Sequence, residues 1–270
     1  MTIANSTVFI AGISSDIGRA LALLYSARSQ RVLGTFRTAA HVEPLRDRQG
    51  IDLISCDVAR PESIRFAVDR LKALDKPWDT FIGAVGQLDP IRPFFETDMD
   101  EWSASLTLNS IGQLRLLREI YPLRRRDTLV KVAFLVGGGI NGPFRNYSAY
   151  CLGKIMLVKA CELIHDEAPD VHAVAIGTGW VDTKIHRQTL EAGERAGDNY
   201  RRTAEFLEAA QPGNGCTDIL ACMDWCFTQD RAVTGGRNFS VVRDSWKEEA
   251  GLGASLLRDP DKYKLRRSGN

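Results

Sequence analysis

Short runs of β-branched and apolar residues alternate with longer stretches whose apolar positions recur at helical spacing, from one end of the chain to the other. A strand buried on both faces of a parallel sheet needs near-continuous apolar composition. A helix packed over that sheet needs only one apolar stripe. The alternation therefore predicts successive βαβ units. Strands are predicted at 7–12, 32–36, 52–56, 80–84, 130–136, 171–177 and 238–242, with helices at about 16–28, 61–74, 100–120, 147–166 and 215–228. Pro61 falls where a first-turn proline is tolerated, and Pro122 where a helix should stop. Right-handed crossovers then cover both faces of the sheet. The expected fold class is α/β, a doubly wound, seven-stranded parallel sheet in a single domain.

Two segments break this rhythm. Residues 184–215 form a mixed-charge, helical insertion between the sixth strand and the next helix, expected to serve as a substrate lid, with Gly193, Gly197 and Gly213 as flexible points. Residues 243–270 form a C-terminal extension beyond a main unit at 1–242, and its Trp246, Leu252, Leu256 and Leu257 predict that it docks on the body. No linker or internal repeat interrupts the chain.

Composition narrows the function. Of 270 residues, 44% are hydrophobic and 26% charged, enough to bury a sizeable core and far from the composition of disordered chains. Lys and Arg number 35 against 34 Asp and Glu, so no global field draws the protein to nucleic acid or an anionic membrane. Neither partner is expected. No apolar run approaches the roughly 18 residues of a membrane span, and no basic segment precedes the first apolar stretch. A cytoplasmic location is expected. Of the 6 cysteines none forms a CxxC pair, and Cys222 and Cys226, one helical turn apart, read as small buried apolar residues in a reducing compartment. His41, His165, His172 and His186 make no HxH or HExxH pattern, so neither a metal site nor a Ser-His-Asp triad is expected.

The first strand runs into AGISSDIG (11–18) and then a helical pattern. A glycine turn entering a helix is an anion site, because unpaired N–H groups and the helix dipole face one point. Gly12 would permit the tight turn and Gly18 close packing of helix on sheet. Further on, Tyr150 and Lys154 stand four apart in YCLGK, on one face of a predicted helix. A cation within about 4–6 Å favours the phenolate and lowers a tyrosine pKa, which would let Tyr150 give or take a proton near neutrality.

The order AGISSDIG, CDV (56–58), GAVG (83–86), Asn109 in a helix, YCLGK, GWVDT (179–183) and TGG (234–236) resembles the short-chain dehydrogenase/reductases over about residues 6–242. That resemblance implies a Rossmann-type sheet binding NAD(H) or NADP(H) across its carboxyl edge, a small-molecule substrate, and a homodimer or homotetramer. It implies Tyr150 as proton donor, Lys154 as the residue that holds the nicotinamide ribose and lowers the tyrosine pKa, and Asn109 as anchor of a relay water. Cofactor contacts are implied at Gly12, Ser14, Ser15, Ile17 and Gly18, at Gly83 and Lys154, and at Val181. Asp57 and Val58 would meet the adenine, and Thr183 the carboxamide.

The chain also departs from the family pattern. Ala11 and Asp16 replace the Thr and middle Gly of TGxxxGxG, GAVG replaces NNAG, and Thr178 replaces the proline of PGxxxT. Asp16 puts a carboxylate where a pyrophosphate would arrive, and GAVG removes the asparagine bonds that usually stiffen that strand end. Gly137 stands where the catalytic serine is usual. Loss of such a donor costs roughly 2.7–4 kcal/mol of transition-state stabilisation. Ser148 would point away from Tyr150, so Tyr147, three positions before it, is the candidate replacement. The backbone N–H groups of 137–139, or no replacement, are the alternatives. TFRT (35–38) ends the second strand without an acidic residue, and Arg37 there favours a 2′-phosphate, hence NADP(H) over NAD(H). The expected activity is hydride transfer between the nicotinamide and a carbonyl or alcohol. A sugar-nucleotide epimerase or dehydratase on the same fold, and a dinucleotide-binding sensor or scaffold without activity, are the alternatives.

Overall fold

The computed structural model describes residues 6–209, 215–248 and 251–267. The first half comprises β1 (Thr7–Ala11), α1 (Asp16–Ala27), β2 (Arg31–Phe36), β3 (Ile51–Ser55), α2 (Pro61–Leu74) and β4 (Thr80–Gly83). Then come α3 (Met99–Leu106), α4 (Gly112–Ile120), β5 (Val130–Val136), α5 (Ser148–Glu167), β6 (Val171–Gly177), α6 (Ile185–Ala192) and α7 (Asp198–Glu208). The last elements are α8 (Cys216–Thr228), α9 (Arg231–Thr234), β7 (Asn238–Ser240) and α10 (Leu252–Arg258). The strands form one sheet of 7, in the order β3-β2-β1-β4-β5-β6-β7. Every pairing in it is parallel.

Alternation along the strands feeds two cores. Val8 and Ile10 of β1 point to the face covered by α1 and α8, with Leu21, Ile219 and Met223. Phe9 and Ala11 point to the face covered by α2, α4 and α5, with Ile64, Leu116 and Leu157. Because β1 lies between β2 and β4, the winding direction reverses there, opening a crevice at the carboxyl ends of β1 and β4.

The helix predicted over 100–120 is interrupted. A π-turn at Thr107–Ile111 separates α3 from α4 and carries Asn109. An inserted residue of this kind widens one turn and re-aims the side chain on it. The tail docks as expected through Trp246, Leu252 and Leu256, all buried, but Leu257 is 61% exposed. Tyr263 O accepts from the Asn238 N–H of β7 at 2.8 Å, and the buried Arg237 donates to Leu256 O at 2.7 Å.

Candidate active site

The glycine turn closes over the crevice floor. Gly12 has φ +82°, and a Cβ there would lie 2.8 Å from Val85 Cγ2, while one at Gly18 would lie 2.4 Å from Gly12 O. Only glycine fits either position. Ser15 caps α1, its Oγ accepting from Gly18 N at 3.0 Å. Ser14 and Ile17 flank it, half-buried. The first-turn N–H groups of a helix lack intrahelical partners, so this turn can receive a phosphate. The cradle fits a dinucleotide pyrophosphate.

The loop after β4 is clasped by two amides. Asn109, fully buried, accepts from Gln87 N at 3.0 Å and donates to Gln87 O at 2.9 Å and Ser105 O at 3.0 Å. Gln113, one turn later, donates to Val85 O at 3.3 Å and to Asn109 O at 2.7 Å. The bonds that GAVG cannot make for itself therefore come from the π-turn and α4. Asn109 thus braces the loop: both ends of its amide and its carbonyl are engaged by protein groups. Gly83 sits inside β4, where a Cβ would meet Phe134 at 2.5 Å, so its smallness serves packing in the sheet.

Tyr150 and Lys154 meet at the carboxyl ends of β4 and β5. Lys154 is 4% exposed, and its Nζ donates to Val85 O at 2.9 Å and Leu135 O at 3.0 Å. Burial pulls its pKa down to about 7. Its Nζ lies 5.8 Å from the centre of the Tyr150 ring. The expected lowering of the tyrosine pKa does not occur here: burial pushes the Tyr150 phenol up, and the ammonium spends its bonds on the two carbonyls. Gly137 faces this phenol. A Cβ at Gly137 would stand 2.1 Å from Tyr150 Oη, so the tyrosine hydroxyl fills the space that a side chain at 137 would need.

Tyr147 precedes α5 as its cap residue instead of lying on the helix. Asn146 takes φ +72° and α5 starts only at Ser148, so Tyr147 lies before the helix and the three-residue spacing to Tyr150 implies no shared face. Its ring is fully buried and stacked on Phe144, and its hydroxyl donates to Thr189 Oγ1 of α6 at 3.1 Å. Ser148 points away from Tyr150 as expected, accepting from Trp102 Nε1 at 3.1 Å. The insertion that carries α6 is tied to the loops after β4 and before α5. Gln188 of α6 accepts from Leu88 N at 3.1 Å and donates to Asp89 at 3.0 Å, and Asn146 donates to Arg195 O at 2.7 Å. Two helices form this insertion, joined by a turn between Gly193 (φ +57°) and Gly197 (φ +55°), whereas Gly213 lies outside the described residues. Val181 is buried at its base, its carbonyl bonded to the His186 ring at 2.8 Å, and Thr183 O accepts from His186 N at 3.1 Å.

At the far end of the crevice a cavity of about 420 Å³ is lined by Arg37, Ser55, Asp57, Arg60, Ser63 and neighbouring side chains. Arg60, which sequence reasoning missed, lies 3.7 Å from Asp57. Asp57 itself accepts from Ala59 N at 3.0 Å, and its N–H donates to Ser63 Oγ at 2.9 Å. Val58 is buried under α4, where its carbonyl would lie 2.3 Å from a Cβ at Gly112.

A glycine-lined phosphate turn at the switch point of a parallel sheet, with a Tyr–Lys pair at the next strand ends, defines a nicotinamide-dinucleotide fold of the Rossmann type. The sequence profile described as Enoyl-(Acyl carrier protein) reductase matches residues 12–213. The chain belongs to the short-chain dehydrogenase/reductase family and is an NAD(P)-dependent oxidoreductase. Similar curated proteins include the L-fucose dehydrogenase of Oryctolagus cuniculus, 23% identical over 92% of this chain and 90% of that one. The 3-oxoacyl-(acyl-carrier-protein) reductase of Escherichia coli K12 is 24% identical over 82% of this chain and 91% of its own. Among solved structures, the KRED1-Pglu enzyme superposes with a TM-score of 0.79 at 23% identity, covering 87% of this chain and 100% of its own. A Shigella flexneri 2a short-chain dehydrogenase complexed with NADP does so with a TM-score of 0.74 at 16% identity, covering 89% of this chain and 98% of that one. Among the described residues no helix is long and apolar enough to cross a membrane.

Proposed function

We propose that the protein is an NADP(H)-preferring reductase or dehydrogenase that interconverts a small carbonyl compound and its alcohol, with Tyr150 as proton donor. The observation that carries this reading is the convergence of Tyr150 and Lys154 on the strand ends beside the glycine turn. When bound, the nicotinamide supplies or accepts the hydride. Tyr150 gives its proton to the substrate oxygen as that oxygen gains negative charge, and Lys154 holds the ribose and lends positive charge as the phenolate forms. No side chain at 137 polarises the substrate. The hydroxyl of Tyr150, seated over Gly137, takes both jobs.

Arg37 and Arg60 support the NADP(H) preference: with Ser55 and Ser63 they line one cavity and offer donors suited to a 2′-phosphate, beside the carboxylates of Asp57 and Glu62. Six free cysteines are in keeping with a cytoplasmic location. Leu152 (46% exposed) and Leu163 (48%) on α5 are apolar surface that supports assembly as a homodimer or homotetramer. The lid assignment of 184–215 rests on the contacts of α6 with Tyr147 and Leu88. The test is a steady-state panel of carbonyls and alcohols with NADPH and NADH, repeated with Arg37→Ala. Turnover with NADPH that drops selectively in the variant supports the reading, and equal or better use of NADH by the native protein refutes the preference.

A further inference from the structure

We propose that Asp16 is a positioning residue: it ties the glycine-rich turn to the start of α6, and its charge opposes the arrival of the cofactor pyrophosphate. The inference rests on the dinucleotide reading of the crevice. Asp16 is the first residue of α1. Its two oxygens are divided between elements far apart in sequence. Oδ1 pairs with Arg19 at 2.8 Å, and Oδ2 accepts from the main-chain N–H of Lys184 at 2.7 Å, across 168 residues. Lys184 follows Thr183 directly and is the cap residue of α6. A helix cap normally draws on its own segment for an acceptor. Here the acceptor is a carboxylate of the phosphate-facing helix.

The same charge reaches a third element. The Cys216 thiol, first residue of α8, is pushed up by burial and then by Asp16. Asp16, paired with Arg19, therefore stands as a half-buried anion where α1, α6 and α8 begin. Backbone N–H groups at these starts attract any anion. A pyrophosphate laid on the Gly12–Gly18 turn brings further negative charge onto ground that Asp16 already holds, in surroundings where side chains are only partly screened: Asp16 is 26% exposed and Arg19 33%. Loading the cofactor then weakens the tie, and α6, which also carries Thr189 and Gln188 of the lid contacts, is released at its first turn. Occupancy of the crevice and freedom of the lid become linked.

Two variants separate charge from bond. Asp16→Asn keeps an oxygen that can accept from Lys184 N but removes the charge. Asp16→Ala removes both. Hydrogen exchange of residues 185–192 in the ligand-free protein should rise about 10- to 100-fold in the Ala variant, the range for losing one charge-assisted bond, and stay near native in the Asn variant. Titration by nicotinamide fluorescence should show NADPH binding about tenfold more tightly to both variants, within the range of ordinary coupling between sites. Adenosine 2′-monophosphate, which has no pyrophosphate, should bind all three proteins alike. A purely structural role predicts weaker binding, so tighter binding is its discriminating signature. Unchanged exchange in the Ala variant, or NADPH affinity unchanged or weakened in both, overturns the proposal. If native protein binds no NADPH, the dinucleotide reading falls, and the exchange measurement still decides whether Asp16 holds α6.

Discussion

Gly137→Ser puts back the hydroxyl that the family uses, yet it should damage this protein. The new Cβ would stand 2.1 Å from Tyr150 Oη and 3.2 Å from Cζ, well inside ordinary contact. Neighbouring side chains leave little space to relax: Tyr150 is 7% exposed, and Cys151 and Leu88 pack in the same cluster. Overpacking of this kind costs about 1–3 kcal/mol. In a chain of this size that lowers Tm by roughly 2 °C or more. The chemistry suffers further, since moving a reacting group by about 1 Å can cost about 10²-fold in rate. Against this stands a gain of about 10²–10³-fold if the serine hydroxyl reached the substrate oxygen. Displacement should win, because the gained donor helps only if Tyr150 keeps its place. Steady-state turnover and thermal unfolding should therefore both fall in Gly137→Ser, and equally in Gly137→Ala, which has the overlap without the hydroxyl. Adding Tyr150→Phe should recover part of the lost stability, because the overlapping atom is gone, and the two changes should be non-additive. A serine variant with higher turnover and unchanged Tm would refute the reasoning. Gly137 would then be a missing donor and nothing more.

The remaining expectations concern separate groups. Tyr150→Phe should leave folding and cofactor titration intact while turnover falls about 10²–10⁴-fold, checked by steady-state kinetics. Tyr147→Phe should cost about 1 kcal/mol through the lost bond to Thr189, seen as a lower unfolding midpoint and faster exchange in α6, with little change in the chemical step. His172, 1% exposed and bonded to Thr234 Oγ1 at 2.8 Å, is held by burial at about 4. Its folded pKa lies below its unfolded value, so the unfolded chain binds more protons between about pH 6.5 and 4, and stability is lost as pH falls through that window. The loss approaches about 3 kcal/mol, and acid unfolding of His172→Gln should begin at lower pH than in the native protein.

The sheet was legible because its strands are continuous apolar runs with turn residues between them, a signal that tertiary packing reinforces. The glycine turn, Tyr150 and Lys154 were legible because their spacing is fixed within one segment. What escaped lies between segments. The bond from Asp16 to Lys184 joins residues 168 apart through a main-chain donor, which leaves no trace in residue type. The π-turn at Asn109 is a change of backbone register set by contact with α5, where a Cβ at Gly153 would lie 2.9 Å from Asn109 Cβ. Gln113 could have been found: it is a polar residue one turn after Asn109, on the buried stripe of α4. The helix face expected to be shared by Tyr147 and Tyr150 is lost because α5 begins one residue later than predicted, after Asn146 at positive φ. Leu257 shares a helix with buried Leu256 but falls on its outer face.

The central claim is that Tyr150 delivers the proton while hydride moves from NADPH to a carbonyl carbon. It is tested most directly with NADPH carrying deuterium at its transferable position, with product analysed by mass spectrometry for native protein and for Tyr150→Phe over the carbonyl panel. The account predicts an alcohol that gains one deuterium with the native protein and a rate reduced by about 10²-fold or more with the variant. Equal rates of deuterium transfer by the two proteins would contradict it.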